Sequence, residues 1–392
     1  MNTSFDYVIL GGGMVGAALA LALCKQNKSV AIIEKALPQA NWLEQPPLRV
    51  SAINRFSESY LQDLGVWQHI NEHSKCVFNQ LATWERGVKP LVFDAKDINE
   101  THLGNLIRNE ALQIAAFEQF KNLANPPEVL SGLELMSIEQ TDNEAVLSFQ
   151  SSEATIQLQA KLVIGADGAM SKTRQLSGIG ISGWDYQQHC LSITLKADFA
   201  QQDITWQEFQ PSGPKAFLPL ANGYACLIWY DSAEKIKELG QLSHVQLKQQ
   251  VLATFPALPG DFEIVKQAAF PLTRRQANQY FHNRVVLVGD AAHTINPLAG
   301  QGVNLGYKDV AVLSKLLNST DLADLSALTQ ALKTYQFKQK TGALVMSGAM
   351  DAFYKLFSND IEPAKFARKS LLGVANQFSF ARKQVLKKAI GY

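Results

Sequence analysis

Three stretches of the chain combine glycines with a carboxylate in a way that suits a ligand carrying both phosphate and ribose. In Gly11-Gly12-Gly13-Met14-Val15-Gly16 the pattern is GxGxxG, and an acid, Glu34, follows about twenty residues further on. Here Gly11 permits a tight turn and Gly13 lets a pyrophosphate sit on the amino end of a helix. Gly16 lets that helix pack closely on a strand, and Glu34 is placed to accept hydrogen bonds from ribose hydroxyls. The second stretch, Gly165-Ala166-Asp167-Gly168, leads to Ser171 and Arg174. The third begins at Gly289-Asp290, passes His293 and Pro297, and ends in Gly300-Gln301-Gly302-Val303-Asn304. A carboxylate such as Asp290 can take a ribose hydroxyl, glycines ahead of a helix let backbone N–H groups approach a polar ligand, and Pro297 sets the direction of the loop. Any one of these stretches would pass as an ordinary turn between a strand and a helix.

The elements that must position them are also readable. The apolar run Tyr7–Leu10 leads straight into the first glycines, and Ala17, Leu19, Ala20 and Leu23 recur at helical spacing. Val30–Ile33 then forms a second strand ending on Glu34, which completes a βαβ unit around the fingerprint. Leu162–Ile164 and Val285–Val288 are strands running into the second and third stretches, and helical spacing continues after the third to about Leu317. Between the motifs, Leu81–Trp84, Leu91–Phe93 and roughly Cys190–Asp231 alternate apolar and polar residues at strand spacing. The fingerprint by itself does not choose between NAD and FAD.

At 392 residues the chain is long enough for two domains, and 47% hydrophobic with 18% charged residues is an ordinary globular composition. A net charge of +1 gives no reason to expect nucleic acid. Cys24, Cys76, Cys190 and Cys226 are scattered without a CxxC pair, which speaks against a zinc site or a disulfide framework and suits a reducing cytoplasm. The N-terminal apolar run is interrupted by glycines, so it reads as a motif rather than a signal peptide, and no stretch approaches the length of a membrane span.

Taken in order, the three motifs resemble the single-component FAD-dependent aromatic-ring hydroxylases, the para-hydroxybenzoate hydroxylase class, over nearly the whole chain. The segments Arg49–Ile53, Trp206–Phe209, Ala216–Leu220, Leu227–Asp231, Phe270–Arg275 and Met346–Tyr354 bring the resemblance closer, to the ubiquinone-biosynthesis hydroxylases. The implied fold is α/β: a Rossmann-like FAD-binding domain with an inserted mixed β-sheet substrate domain and a helical C-terminal segment. The FAD domain is expected at 1–75, 105–180 and 275–330, the substrate domain at 76–104 and 181–274, and the helical segment at 331–392.

Carried over residue by residue, the resemblance implies that Gly11, Gly13, Gly16 and Glu34 hold the ADP part of FAD. Asp167 and Gly168 lie by the pyrophosphate, and Asp290 takes a hydroxyl of the ribitol or ribose. Pro297, Gly300, Gly302, Val303 and Asn304 line the isoalloxazine, where their backbone serves catalysis by stabilising developing negative charge. Arg49 is expected near the flavin and Arg108 over the cofactor. His293 is expected to structure its own loop. No catalytic base and no metal site are assigned.

The implied reaction reduces FAD with NAD(P)H and transfers one atom of O2 through a C4a-hydroperoxyflavin. Its target is the ring of a polyprenyl benzoquinol or phenol, with demethoxyubiquinol (2-polyprenyl-3-methyl-6-methoxy-1,4-benzoquinol) the expected ring. Phe217 and Pro219 are the expected substrate contacts. Another ring position, another aromatic substrate, or a structural flavin-binding role in a biosynthetic complex are the alternatives. An NAD-dependent dehydrogenase would leave the motifs around Asp167 and Asp290 unexplained.

The end of the chain is basic. Lys365, Arg368, Lys369, Arg382, Lys383, Lys387 and Lys388 are interleaved with apolar residues, including Leu386 and Ile390. Such a segment either lies on an anionic membrane surface, as a peripheral contact on the inner face, or caps the domain as a solvated helix.

Overall fold

The computed structural model describes residues 3–295, 300, 302–357 and, further on, 383, 384, 386, 387, 390 and 391; the side chains of 349 and 353–357 are outside the description. Pro297 and most of the basic tail therefore lie outside the described residues.

The first strand, Ser4–Leu10, is buried along almost its whole length, because it sits inside a sheet covered on both faces. It pairs in parallel with Val30–Glu34 on one side and Thr155–Gly165 on the other, and Val285–Leu287 continues the sheet beyond the latter. All three glycine-rich stretches thus leave the carboxyl ends of neighbouring parallel strands, where open α/β sheets bind ligands. The helix Met14–Cys24 is a run of Ala and Leu, strong helix formers, and every residue from Gly16 to Cys24 is buried. It is apolar all round because it has neighbours all round, packing against the sheet and against the helices Asn109–Phe120 and Gly302–Asn318.

The second large sheet is mixed. Its order runs His293–Thr294, Asp261–Ala277, Ile181–Asp198, Tyr224–Ser232, Lys215–Leu220, Ile204–Phe209, Gln80–Glu85 and Leu91–Asp94. The Ile204–Phe209 and Gln80–Glu85 pair is parallel and the other pairs are antiparallel. One face packs on the helices Ala233–Gly240 and His244–Thr254 through Leu191, Ile193, Leu227, Trp229, Leu239 and Leu247. A small sheet of Val50–Asn54, Gly104–Arg108 and Lys75–Phe78 contributes to the apolar cluster on the other face.

The long helix Leu325–Phe357 ties these layers together. Its Tyr335 hydroxyl donates to Leu287 O at 2.9 Å, and Gln336 accepts from the Tyr280 N–H at 2.7 Å. Further along, Asp351 accepts from the Tyr186 hydroxyl and pairs with Arg274, both on the mixed sheet. Among the described residues no helix is long and apolar enough to cross a membrane.

Candidate cofactor and substrate site

Backbone geometry, more than side chains, shapes the first part of the site. Gly11 has φ +103°, a conformation L side chains rarely adopt, and an added Cβ there would lie 2.4 Å from Ala166 O. A Cβ on Gly16 would lie 1.9 Å from Gly11 O, so helix and turn meet at a distance only glycine allows. Gly13 faces open space at the amino end of the Met14–Cys24 helix. No side chain caps that helix and no acid occupies its first turn, which leaves its N–H groups and the positive end of its dipole for an anion. Glu34 Oε2 accepts the Gly12 N–H at 2.6 Å and Oε1 accepts the Ala36 N–H at 3.0 Å, which holds the carboxylate beside the turn with lone pairs to spare.

Asp167 is held on one oxygen only. Its Oδ2 accepts from the Thr173 N–H at 2.9 Å and the Thr173 hydroxyl at 2.8 Å, while Oδ1 is buried with no partner among the described residues. A buried carboxylate oxygen left unpaired is costly, and a ligand donor is one way to satisfy it.

Asp290 and Arg49 line a cavity of about 680 Å³ between the parallel sheet and the mixed sheet. The Asp290 side chain is open to the cavity yet enclosed by protein elsewhere. This enclosure raises its carboxyl above the ordinary value, opposed by the charges of His293 and Arg49 and reinforced by Asp309. Behind it, the buried Asp309 accepts the Gly289 N–H at 2.8 Å and contacts His293 Nε2 at 2.7 Å, both through Oδ2. Gln339 donates to its other oxygen at 2.8 Å. Burial works against a charged His293, but the Asp309 carboxylate outweighs it and the imidazole pKa is raised. His293 is thus tied, through Asp309, to the Gly289 N–H of its own turn. Asp309 was missed by the sequence reading; the signal available was a lone acid among the apolar residues of the helix Gly302–Asn318.

Gly300, Gly302 and Val303 line the same cavity. Asn304 stands behind them and is 1% exposed. Its Oδ1 accepts the Asn54 N–H at 3.1 Å, and its Nδ2 donates to Ala52 O at 2.8 Å and Gly300 O at 3.4 Å. The side chain therefore fixes the start of the helix to the strand Val50–Asn54, and only its backbone remains for a ligand.

Two expectations are corrected. Arg108 does not point into the cavity: its guanidinium donates to Leu43 O, Trp42 O and Gln45 O at 2.9, 2.8 and 3.0 Å. It clamps the loop that leads to Leu48 and Arg49, a positioning task. Phe217, expected to touch substrate, lies on the opposite face of its strand, 1% exposed in the core under the helices and stacked on Trp206 at 5.7 Å. Side chains alternate along a strand, so Pro219 shares that face, while Ala216 and Leu218 line the cavity. The remaining lining includes Leu48, Phe78, Leu103, Leu106, Ile228 and, from the C-terminal region, Leu386 and Ile390. Ser192, Thr205 and Tyr230 supply scattered polar groups.

An open helix N-terminus, an unpaired buried carboxylate oxygen and a third carboxylate at the cavity edge fit a dinucleotide that reaches a mostly apolar chamber. Comparison with known proteins agrees. Residues 4–343 match the family described as FAD binding domain. The chain is 40% identical over 393 residues to 3-demethoxyubiquinol 3-hydroxylase of Escherichia coli (strain K12), covering all of this chain and 99% of that protein. It is 28% identical to the ubiquinone biosynthesis monooxygenase COQ6, mitochondrial, of Mus musculus, covering 98% and 90% of the two chains. Among solved structures, p-nitrophenol 4-monooxygenase PnpA from Pseudomonas putida DLL-E4 superposes with a TM-score of 0.82 at 18% identity, over 100% of this chain and 99% of that one, a likeness of fold. The chain therefore belongs to the FAD-dependent monooxygenases, in the ubiquinone-biosynthesis hydroxylase family.

Proposed function

We propose that the chain hydroxylates the ring of a polyprenyl benzoquinol, with demethoxyubiquinol as substrate and NAD(P)H and O2 as co-substrates. The observation that carries this reading is a single cavity whose walls run from the cofactor-side residues Asp290, Gly300, Gly302 and Val303 to apolar side chains of the mixed and small sheets. The full-length identity with a 3-demethoxyubiquinol 3-hydroxylase supports the choice of ring.

Bound FAD would take electrons from NAD(P)H and activate O2, the chemistry that no side chain here supplies. Gly11, Gly13, Gly16, Glu34, Asp167, Gly168 and Asp290 would hold it, with Arg49 contributing positive charge at the cavity edge. The amino end of the helix Gly302–Asn318 directs backbone N–H groups toward negative charge that develops in the cavity. Leu48, Phe78, Leu106, Leu218 and Ile228 keep water from the reacting ring, which strengthens that electrostatic effect. Burial pushes the Cys226 thiol up to about 11 and raises Cys190 and Tyr230 well above their usual values, so these wall residues stay neutral. The neutral Tyr230 hydroxyl is suited to orient a ring oxygen, whereas Thr205 already donates to Phe217 O at 2.8 Å and has only lone pairs to offer. A quinol is already electron-rich, so the pathway needs no dedicated base.

A polyprenyl substrate lives in a membrane, and we infer a cytoplasmic protein that meets the inner face of the membrane through its basic C-terminal segment, within a biosynthetic complex. The test of the function is product analysis with NADH or NADPH and a short-chain demethoxyubiquinol analogue. Gain of one oxygen at the last unsubstituted ring carbon is the expected result. Hydroxylation of an analogue with a different open ring carbon, but not of this one, would transfer the assignment to a different ring position, and oxidation of NAD(P)H without a ring product would refute it.

A further inference from the structure

One wall of the cavity comes from outside the region that matches the FAD binding domain, which ends at residue 343. Leu386 and Ile390 are each 3% exposed and belong to one apolar cluster with Phe78, Leu103 and Leu106, all of which also line the cavity. The Ile390 N–H donates to Leu386 O at 3.0 Å, so the two side chains share one side of a helical turn. The neighbouring Lys383 and Lys387 are exposed, so this turn is apolar toward the cavity and cationic toward solvent.

The turn is seated by specific contacts. Ile390 O accepts the Phe56 N–H at 3.3 Å, satisfying a first-turn N–H of the helix Arg55–Asp63 that has no partner within its own helix. Gly391 has φ +103°, and a Cβ there would fall 2.6 Å from Phe56 Cβ, so the chain passes this point at a distance that needs glycine. The N–H of Asn54, next to this contact, donates to Asn304 Oδ1. Ile390 is thereby placed through Asn54 relative to the same Asn304 that fixes the cofactor-side loop.

We infer that Leu386 and Ile390 are specificity-determining residues that hold the alkyl side chain of the substrate ring. The inference rests on the ring-hydroxylase reading above. A chain of prenyl units offers no hydrogen bonds, and this wall asks for none. Core packing alone would have filled the space in front of these two side chains, whereas they face a cavity.

The test compares Leu386→Ala and Ile390→Ala with the parent chain, each loaded with FAD. Two demethoxyubiquinol-type rings are titrated by the perturbation of the flavin spectrum, one bearing a decyl chain and one a methyl group. The parent is expected to bind the decyl ring more tightly. Each variant should lose roughly tenfold of that affinity, with the methyl ring and the FAD content unchanged. Leu386→Met and Ile390→Val, which nearly keep volume, should restore the preference. No preference for the decyl ring in the parent, or a loss shared equally by both rings, would overturn the inference. So would unaltered discrimination in both alanine variants. Hydroxylation by the parent is scored separately: turnover with unaltered discrimination removes the inference alone, and binding without turnover removes the function alone.

Discussion

Asn304→Ala probes the joint between the Gly300–Asn304 stretch and the strand Val50–Asn54. The substitution leaves the Asn54 N–H and the Ala52 carbonyl without the partners they have at 3.1 and 2.8 Å. An unsatisfied buried backbone group costs about 1–3 kcal/mol. The Gly300 contact at 3.4 Å is long and adds little. With Asn304 only 1% exposed, two orphaned groups amount to about 2–4 kcal/mol, allowing for some water entry from the cavity. Urea unfolding of the FAD-free protein measures this term without the stabilisation that bound ligand adds by mass action. Flavin content after gel filtration reads the second consequence, a loosened Gly300–Asn304 loop that retains less FAD. A loss below about 0.5 kcal/mol together with full flavin content would refute the reasoning, since that range is ordinary for substitutions that touch nothing important.

Gly16→Ala should cost more than typical overpacking of about 1–3 kcal/mol, because the new Cβ meets a backbone oxygen at 1.9 Å that cannot rotate away; thermal unfolding and FAD content should both fall. Asp290→Ala should strip FAD from a chain that keeps its far-ultraviolet circular dichroism, and full flavin retention would remove Asp290 from the cofactor site. Lys215 is fully buried, donating to Tyr230 O at 2.8 Å and Gly213 O at 3.1 Å, and burial depresses its pKa to about 8 against the pull of Asp231. Between about pH 8 and the ordinary lysine value of about 10.4 the unfolded chain holds a proton that the folded chain has released, so this group makes stability rise with pH across that window. Urea unfolding at pH 7.5 and 9.5 should show that rise in the parent and a flatter response in Lys215→Met; equal slopes would contradict the assignment.

The glycine-rich turns of the candidate site were legible in the residues because they are built from constraints on the backbone. Gly11 and Gly16 are required by contacts within their own βαβ unit, and such local demands leave a pattern with fixed spacing. The substrate half was less legible. Ala216–Leu220 is apolar on both faces because helices cover one and the cavity the other, so the alternation that tells inside from outside is missing. A slip of one residue then exchanges Phe217 for Ala216 and Leu218. Arg108 announces a need for acceptors, but its acceptors are backbone carbonyls of Trp42, Leu43 and Gln45, distant in sequence and of no particular residue type. The apolar side of the basic tail was visible at Leu386 and Ile390, yet nothing in the spacing says that it meets Phe78 and Leu106 rather than a lipid surface.

The most direct test of the central claim is the fate of molecular oxygen. The purified, flavin-loaded chain is supplied with NADH or NADPH, a short-chain demethoxyubiquinol analogue and isotopically heavy O2, and the product is weighed. One heavy oxygen atom is expected in each hydroxylated ring, with ring-stimulated consumption of the nicotinamide. A hydroxylated ring carrying oxygen from water, or flavin reduction with no heavy oxygen in the ring, would contradict it.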